Sequence, residues 1–362
     1  SMDKNGRTTP FQRTYNLQPR PRSPWQFLHM LELSIPFLKG KNWIAKDTAS
    51  RNVTQIEYYE MLAADPAFNL KPGKEDEQRA RTYLTMNATR LGFCYKDKIN
   101  KQKEIMTFTP AAKLLSEGQI IEQTWLKQMM KWQIPSQSDM NQHMLKNSFH
   151  PFLSAVRICL LLGSLTKDSN EEFLSKWEYA VFVLTMTNDK QCEINAKEII
   201  KLRKKIANTT GKTKKNKVRE KYHVERLKDI IYKEDIAAGR FGKRQDPTGK
   251  ATITSELVRR RKQNENDYTD TIIRFMRATG IFVASDRMRR LRINPRLRWK
   301  AVLIDKKVTE LFKINKNFQD VEKFYSWFGN TDEPKLPWES IDGYQEEIKE
   351  NLDHVNIILS TL

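Results

Sequence analysis

The chain has 362 residues, enough for two or three domains that each bury a core. Its 39% hydrophobic content, with eight Trp and seventeen Phe, excludes disorder as the main state. Three widely spaced cysteines, Cys94, Cys159 and Cys192, exclude a disulfide framework and a zinc site and suggest a reducing cytoplasm. A formal net charge of +20, from 64 Lys and Arg against 44 Asp and Glu, points to a polyanionic partner.

Residues 1–25 are rich in proline and arginine, end in PRPRSPW and predict an extended arm; the leading Ser1-Met2 reads as an expression scar. Residues 26–70 read as mainly helical, with Ile56, Tyr59, Met61 and Leu62 toward a core. After the Pro72-Gly73 turn, Glu75 to Leu91 predicts a helix with Ala80, Leu84, Ala88 and Leu91 on one stripe and Gln78, Arg79, Thr82 and Thr85 outward. A glycine, a short strand, a turn with Lys96, Lys98, Lys101 and Lys103, a second strand and a proline-started helix follow. The most apolar run, FLSAVRICLLLGSL, is too short for a membrane span and carries Arg157, so it predicts a core helix. Trp125, Trp132 and Trp177 are expected in the core with Leu126–Trp132, Ala155–Leu162 and YAVFVLTMT. The stretch KLRKKIANTTGKTKKNKVREKYH, from Lys201, reads as a helix end and a solvated basic loop. AAGRFGKRQDPTGKATI reads as a loop that orders on a phosphate backbone, a disordered surface loop being equally permitted.

The pattern at 88–115, ATRLGFCYKDKINKQKEIMTFTPAAKLL, then recurs at 276–303 as MRATGIFVASDRMRRLRINPRLRWKAVL. Gly92 aligns with Gly280, Phe93 with Ile281, and Thr109-Pro110 with Asn294-Pro295. Glycine ends each helix because it tolerates positive φ, and proline starts the next where no N–H is needed. A helix followed by a two-stranded hairpin is the latter half of a winged helix-turn-helix. The expected fold is therefore mainly α with small β-hairpins (α+β): tandem winged-helix-like units joined by helices, over 26–148 and 149–325. Such units serve as protein–protein modules as well as DNA readers.

Between 201 and 300 there are 30 basic and 11 acidic residues, so +19 of the charge falls in one window. Double-stranded DNA is the partner this suggests. Candidate contacts in the first unit are Gln78, Arg79, Thr82, Lys96 and Lys98. In the second they are Lys212, Lys214, Lys215, Lys217, Arg240, Lys243, Arg244 and Lys250, the helix residues Asn266, Asp270, Arg274 and Arg277, and the hairpin residues Arg287, Arg289 and Arg290. The same basic face would equally serve a protein that binds RNA or chromosomal DNA without sequence readout. No HExxH, CxxC, EF-hand, P-loop or Gly-x-Ser-x-Gly pattern occurs, and the five histidines form no metal pair. The triplets Asp305-x-Lys307 and Glu347-x-Lys349 match half of a Mg²⁺ nuclease motif in composition, but both fall in predicted helices without an acidic strand upstream. No catalytic residue, metal ligand or cofactor is therefore assigned to this chain, and no membrane partner.

Five segments resemble, in order, the AlwI-like type IIS restriction endonucleases and their nicking relatives: WLKQMMKWQIPS (125–136), YAVFVLTMTNDKQCEINAKEIIKLR (179–203), RFMRATGIFVASD (274–286), LRINP (291–295) and FGNTDEPKLPWE (328–339). The resemblance implies a bacterial, cytoplasmic restriction–modification protein. It implies an N-terminal region that binds a short asymmetric site of the GAGTC or GGATC kind, and a C-terminal Mg²⁺-dependent PD-(D/E)xK nuclease cutting outside it. The nuclease motif has no counterpart in these residues. The chain is thus expected to be similar to the recognition region, with 326–362 starting a linker to a nuclease domain or subunit.

Overall fold

The computed structural model describes residues 17, 19–74, 76–135, 148–237, 239, 252–285, 289–313, 320–339 and 341–361. Helix α1 (Pro24–Leu38) starts at a proline, and α2 (Val53–Ala64) is capped by Asn52, whose side chain accepts from the Gln55 N–H. Helix α3 (residues 76–90) runs into the hairpin of β1 (Cys94–Asn100) and β2 (Lys103–Phe108), followed by α4 (Pro110–Ser116) and α5 (Ile121–Lys131). The second half begins with α6 (Pro151–Thr166), β3 (Phe173–Ser175), α7 (residues 176–183), α8 (Cys192–Ala207), α9 (residues 212–231) and α10 (Lys233–Ala237). Then come α11 (residues 253–277), the hairpin β4 (Phe282–Ser285) and β5 (Arg290–Ile293), and α12 (Arg298–Lys306), α13 (Val308–Leu311), α14 (Val321–Phe328) and α15 (Ile341–Thr361). The architecture is mainly helical with two small antiparallel sheets, as expected.

The two aligned segments share their hydrogen bonds as well as their order. Gly92 and Gly280 end α3 and α11 with φ of +77° and +76°, which L side chains rarely adopt. The Thr109 hydroxyl donates to the Gly92 carbonyl at 2.8 Å, and the Asn294 amide donates to the Gly280 carbonyl at 2.9 Å. The backbone N–H of Thr109 reaches Phe93 O, and that of Asn294 reaches Ile281 O. The units differ in their sheets. β1 and β2 stand alone, whereas β5 pairs with β4 on one side and β3 on the other, giving the order β3-β5-β4.

Helix α5 lies between the units. Trp125 packs against Phe27 of α1, Phe93 of the first turn and Phe275 of α11, with centroids 5.6, 5.5 and 5.1 Å apart. These rings belong to one buried cluster that runs through both halves. Trp132 and Trp177 are also buried, as is the stripe Ala80, Leu84, Ala88 and Leu91. Residues 327–339, assigned above to the start of a linker, are seated on the first unit. Lys131 Nζ donates to the carbonyls of Asn330 and Trp327, Lys127 Nζ to that of Thr331, and Tyr325 stacks on Tyr95 at 4.9 Å. Along α15, by contrast, Ile348, Leu352, Val355 and Leu359 are exposed.

Two readings are corrected. Thr85 does not face outward but is buried, its hydroxyl donating to Arg81 O, while Met86 is exposed. Residues Thr82–Met86 hydrogen-bond with π spacing, and the wider turn rotates the outward face by about one residue. Residues 212–223 are not a loop: Lys212–Arg226 is helical. Lys, Arg and Glu are good helix formers, and Val218 and Tyr222 supply an apolar side that packs on the core.

A Cβ at position 92 would lie 2.5 Å from Phe328 Cγ and 2.8 Å from Gln128 Nε2, whereas one at Gly118 (φ +70°) meets nothing within 4 Å. Gly92→Ala should therefore cost about 3 kcal/mol, from backbone strain plus overpacking, and Gly118→Ala about 1 kcal/mol from strain alone. Urea unfolding of both variants measures the difference.

Candidate nucleic-acid interface

Helix α11 buries Ile272, Ile273, Phe275 and Met276 and turns its other face outward. Asn266 and Arg277 are exposed there, and Asp270 and Arg274 are half-buried. The Asp270 carboxylate gathers three cations: Arg274 at 3.1 Å, Lys176 at 3.4 Å and Arg22 at 3.5 Å. Burial works to raise its pKa, but the Lys176 and Arg274 charges outweigh that and hold the carboxyl below its ordinary range. Lys176 is set in place by the start of α7, where Ser175 and Glu178 form a reciprocal capping box. Arg22 belongs to the segment leading into α1. Beyond it, Ser23, Pro24 and Trp25 form one wall of a groove of about 700 Å³, and Arg274, Arg277, Val283, Ala284 and Asn294 line it from α11 and the hairpin.

At the hairpin, Arg289 is exposed in the turn and Arg290 opens β5. The Phe173 ring carries the guanidinium groups of Arg203, Arg290 and Arg292 at 4.1, 4.4 and 5.2 Å. Arg203 also bonds both oxygens of Glu178 at 2.8 Å, Glu171 at 2.8 Å and the Phe173 carbonyl, so it fastens α8 to β3. Arg298 grips the buried Glu172 with two nitrogens. Arg259 and Arg260 pair with Glu256, Arg261 with Glu220 and Glu265, and Arg226 donates to Val181 O and Thr185. Much of the basic window is therefore structural.

Along α9, Lys212, Lys214 and Lys217 are exposed and Lys215 is half-buried, and none has a carboxylate partner among the described residues. In the first unit, Lys98 and Gln78 are exposed, and Lys96 lies 3.9 Å from Glu104. Arg79 donates to Lys71 O and lies over Tyr59, and Thr82 donates to Gln78 O. Arg240, Lys243, Arg244, Lys250 and Arg287 lie outside the described residues. The structure adds three residues that the sequence reading missed: Arg22, Trp25 and Lys176. A sequence signal existed for two of them, since a basic Pro-rich segment ending Ser-Pro-Trp marks a helix start with an aromatic in its first turn.

Asp305 lies on α12 with Lys307 just after it, and Arg157 pairs with Asp305 at 2.8 Å; Glu347 and Lys349 lie on α15. Among the described residues no three His, Cys, Asp or Glu side chains come together in a set that could hold a metal ion, and no helix is long and apolar enough to cross a membrane. The three cysteines are free and buried, and burial pushes Cys94 and Cys192 up to about 12.

The sequence model of the AlwI restriction endonuclease family matches residues 89–361. No curated protein matches the chain.

His223 of α9 is buried near Arg261 and Arg226, and neither ring nitrogen has a hydrogen-bond partner among the described residues. Burial first, then those two charges, holds its pKa at about 3, against 6.5 in the ordinary state. The unfolded chain thus takes up a proton that the folded chain refuses. Stability is intact above about pH 6.5 and falls as the pH drops toward 3. His223→Leu should flatten this part of the profile, as measured by urea midpoints between pH 7 and pH 4.

Proposed function

The chain belongs to the AlwI restriction endonuclease family, which ties it to type II restriction and to DNA, and from that premise we propose that the described residues form a module recognising a short asymmetric duplex site. The observation that carries the reading is the second unit, a helix followed by a hairpin whose second strand is the centre of a three-stranded sheet of order β3-β5-β4. That arrangement supports a winged helix-turn-helix. In this reading α11 addresses the major groove with Asn266, Arg274 and Arg277, and the hairpin turn, with Arg289, follows the backbone. Lys212, Lys214 and Lys217 neutralise phosphates farther along. The first unit adds Gln78 and Lys98 from its own helix and hairpin.

The type IIS or nicking character, the bacterial cytoplasmic setting and a Mg²⁺-dependent nuclease domain or subunit as partner belong to the same proposal and rest on the family. No hydrolytic step is assigned to the described residues.

Selection from a randomised duplex library at about 150 mM salt should enrich one short asymmetric motif. Retention of DNA without enrichment would favour a non-specific nucleic-acid binder. On the selected site, Arg277→Ala should cost about 1 to 3 kcal/mol and relax preference at one position, if it forks onto a guanine. Lys214→Ala should weaken all duplexes alike and reduce the salt slope by about 0.9. Filter binding over a salt series separates the two.

A further inference from the structure

We propose that Trp25 is a base-contacting residue of this protein, wedging its indole into a base step of the recognised duplex from the groove beside α11; the inference rests on the recognition reading above. Trp25 occupies the first turn of α1 and is 72% exposed, the most exposed of the large hydrophobic side chains among the described residues. Seven other tryptophans are available to the chain's interior and surface, and Trp125, Trp132, Trp43 and Trp177 show that buried positions exist for indoles in this fold. An indole left in water forfeits one of the largest apolar burials available to any side chain. Its position gives the exposure a use.

The segment bearing Trp25 is fastened to α11. Arg22 pairs with Asp270, one turn before Arg274, and Ser23, Pro24 and Trp25 wall the groove opposite Arg274, Arg277 and Asn294. The groove combines an aromatic face, apolar lining from Leu28, Ile121 and Phe282, guanidinium groups and an amide. The carboxylate that pairs with Arg274, Asp270, is already shared among three cations. An indole beside fixed positive charge is complementary to an opened base step beside its phosphates, and the occupant is, on the family reading, duplex DNA. Arg22, Lys176 and Arg274 then take phosphates around the opened step, held in register by Asp270.

The test compares wild type with Trp25→Ala and Trp25→Phe on the selected duplex and on random duplex. Thermal melting of each variant checks that the fold is kept. Trp25→Ala should bind the selected site about tenfold to a hundredfold more weakly, the range that base–aromatic stacking supports. Base steps differ in how easily they open, so the loss on random duplex should be smaller than on the selected site, and Trp25→Phe should recover most of the loss. The salt slope should not change, because an indole releases no counterions. Selection that enriches a site bound equally by wild type and Trp25→Ala would overturn the Trp25 assignment and leave the recognition reading standing; the exposed indole would then belong to a partner other than DNA. An equal loss on selected and random duplex would also overturn it. No enrichment by wild type, with Trp25→Ala unchanged on random duplex, would overturn both.

Discussion

The placement of α11 and of the segment carrying Arg22 depends on how Trp125 packs. The indole is 1% exposed and touches rings from α1, from the turn after α3 and from α11. Phe27 closes the set by contacting Phe93 and Phe275 itself, at 5.3 and 5.6 Å. Tilted and edge-on pairs of this kind add about 0.5 to 1.5 kcal/mol each beyond the area they bury. Their larger effect is geometric. Four segments far apart in sequence share one aromatic centre, so α11 and the segment carrying Arg22 are fixed relative to each other and to the first hairpin.

The same helix joins two of the short stretches that resemble the family in the sequence reading. In WLKQMMK, Trp125 supplies the aromatic centre, Gln128 donates to the Leu91 carbonyl, and Lys127 and Lys131 reach the carbonyls of Thr331, Trp327 and Asn330. Their targets lie within or beside the FGNTDEP stretch. There the Gly329 carbonyl accepts from Ala111 N, and Phe328 lies against Gly92. Burial first, then the neighbouring Lys127, lowers the Lys131 pKa well below its usual value. A buried ammonium is tolerated where backbone carbonyls receive its protons. Two motifs 200 residues apart in the chain are thus two sides of one joint.

How much of this could be read from the sequence follows from the range of the forces involved. Gly92, Gly280, Pro110 and Pro295 announced the repeat because φ restrictions are local and leave a mark on residue type. The buried stripe from Ala80 to Leu91 was legible as periodicity. Thr85 was misplaced because a π turn has no residue signature. The helix at 212–226 was misread because its lysines look like loop composition while its apolar residues, Val218, Tyr222 and Val224, are few. The roles of the arginines were not legible. Arg203, Arg226 and Arg298 are bound by partners 25 to 126 residues away in the chain or by backbone carbonyls, Arg261 is divided between Glu265 four residues on and the distant Glu220, and a net charge counts them together with Lys214. Trp25 was visible as a residue, but the groove it lines is shared with α11, which lies more than two hundred positions later.

One consequence of α5 concerns mechanics. Near its start Glu122 abuts Gly280, and near its end Gln128 abuts Gly92. Six residues of helix separate those contacts, about 9 Å of rise. The helix therefore works as a strut between the two hairpin units, and a stiff one, because its central residue is clamped by three rings. On the recognition reading proposed above, a duplex spanning both units meets a gauge of fixed width. Any mismatch between that gauge and the local helical repeat falls on the DNA, whose bending stiffness depends on base sequence at positions no side chain touches.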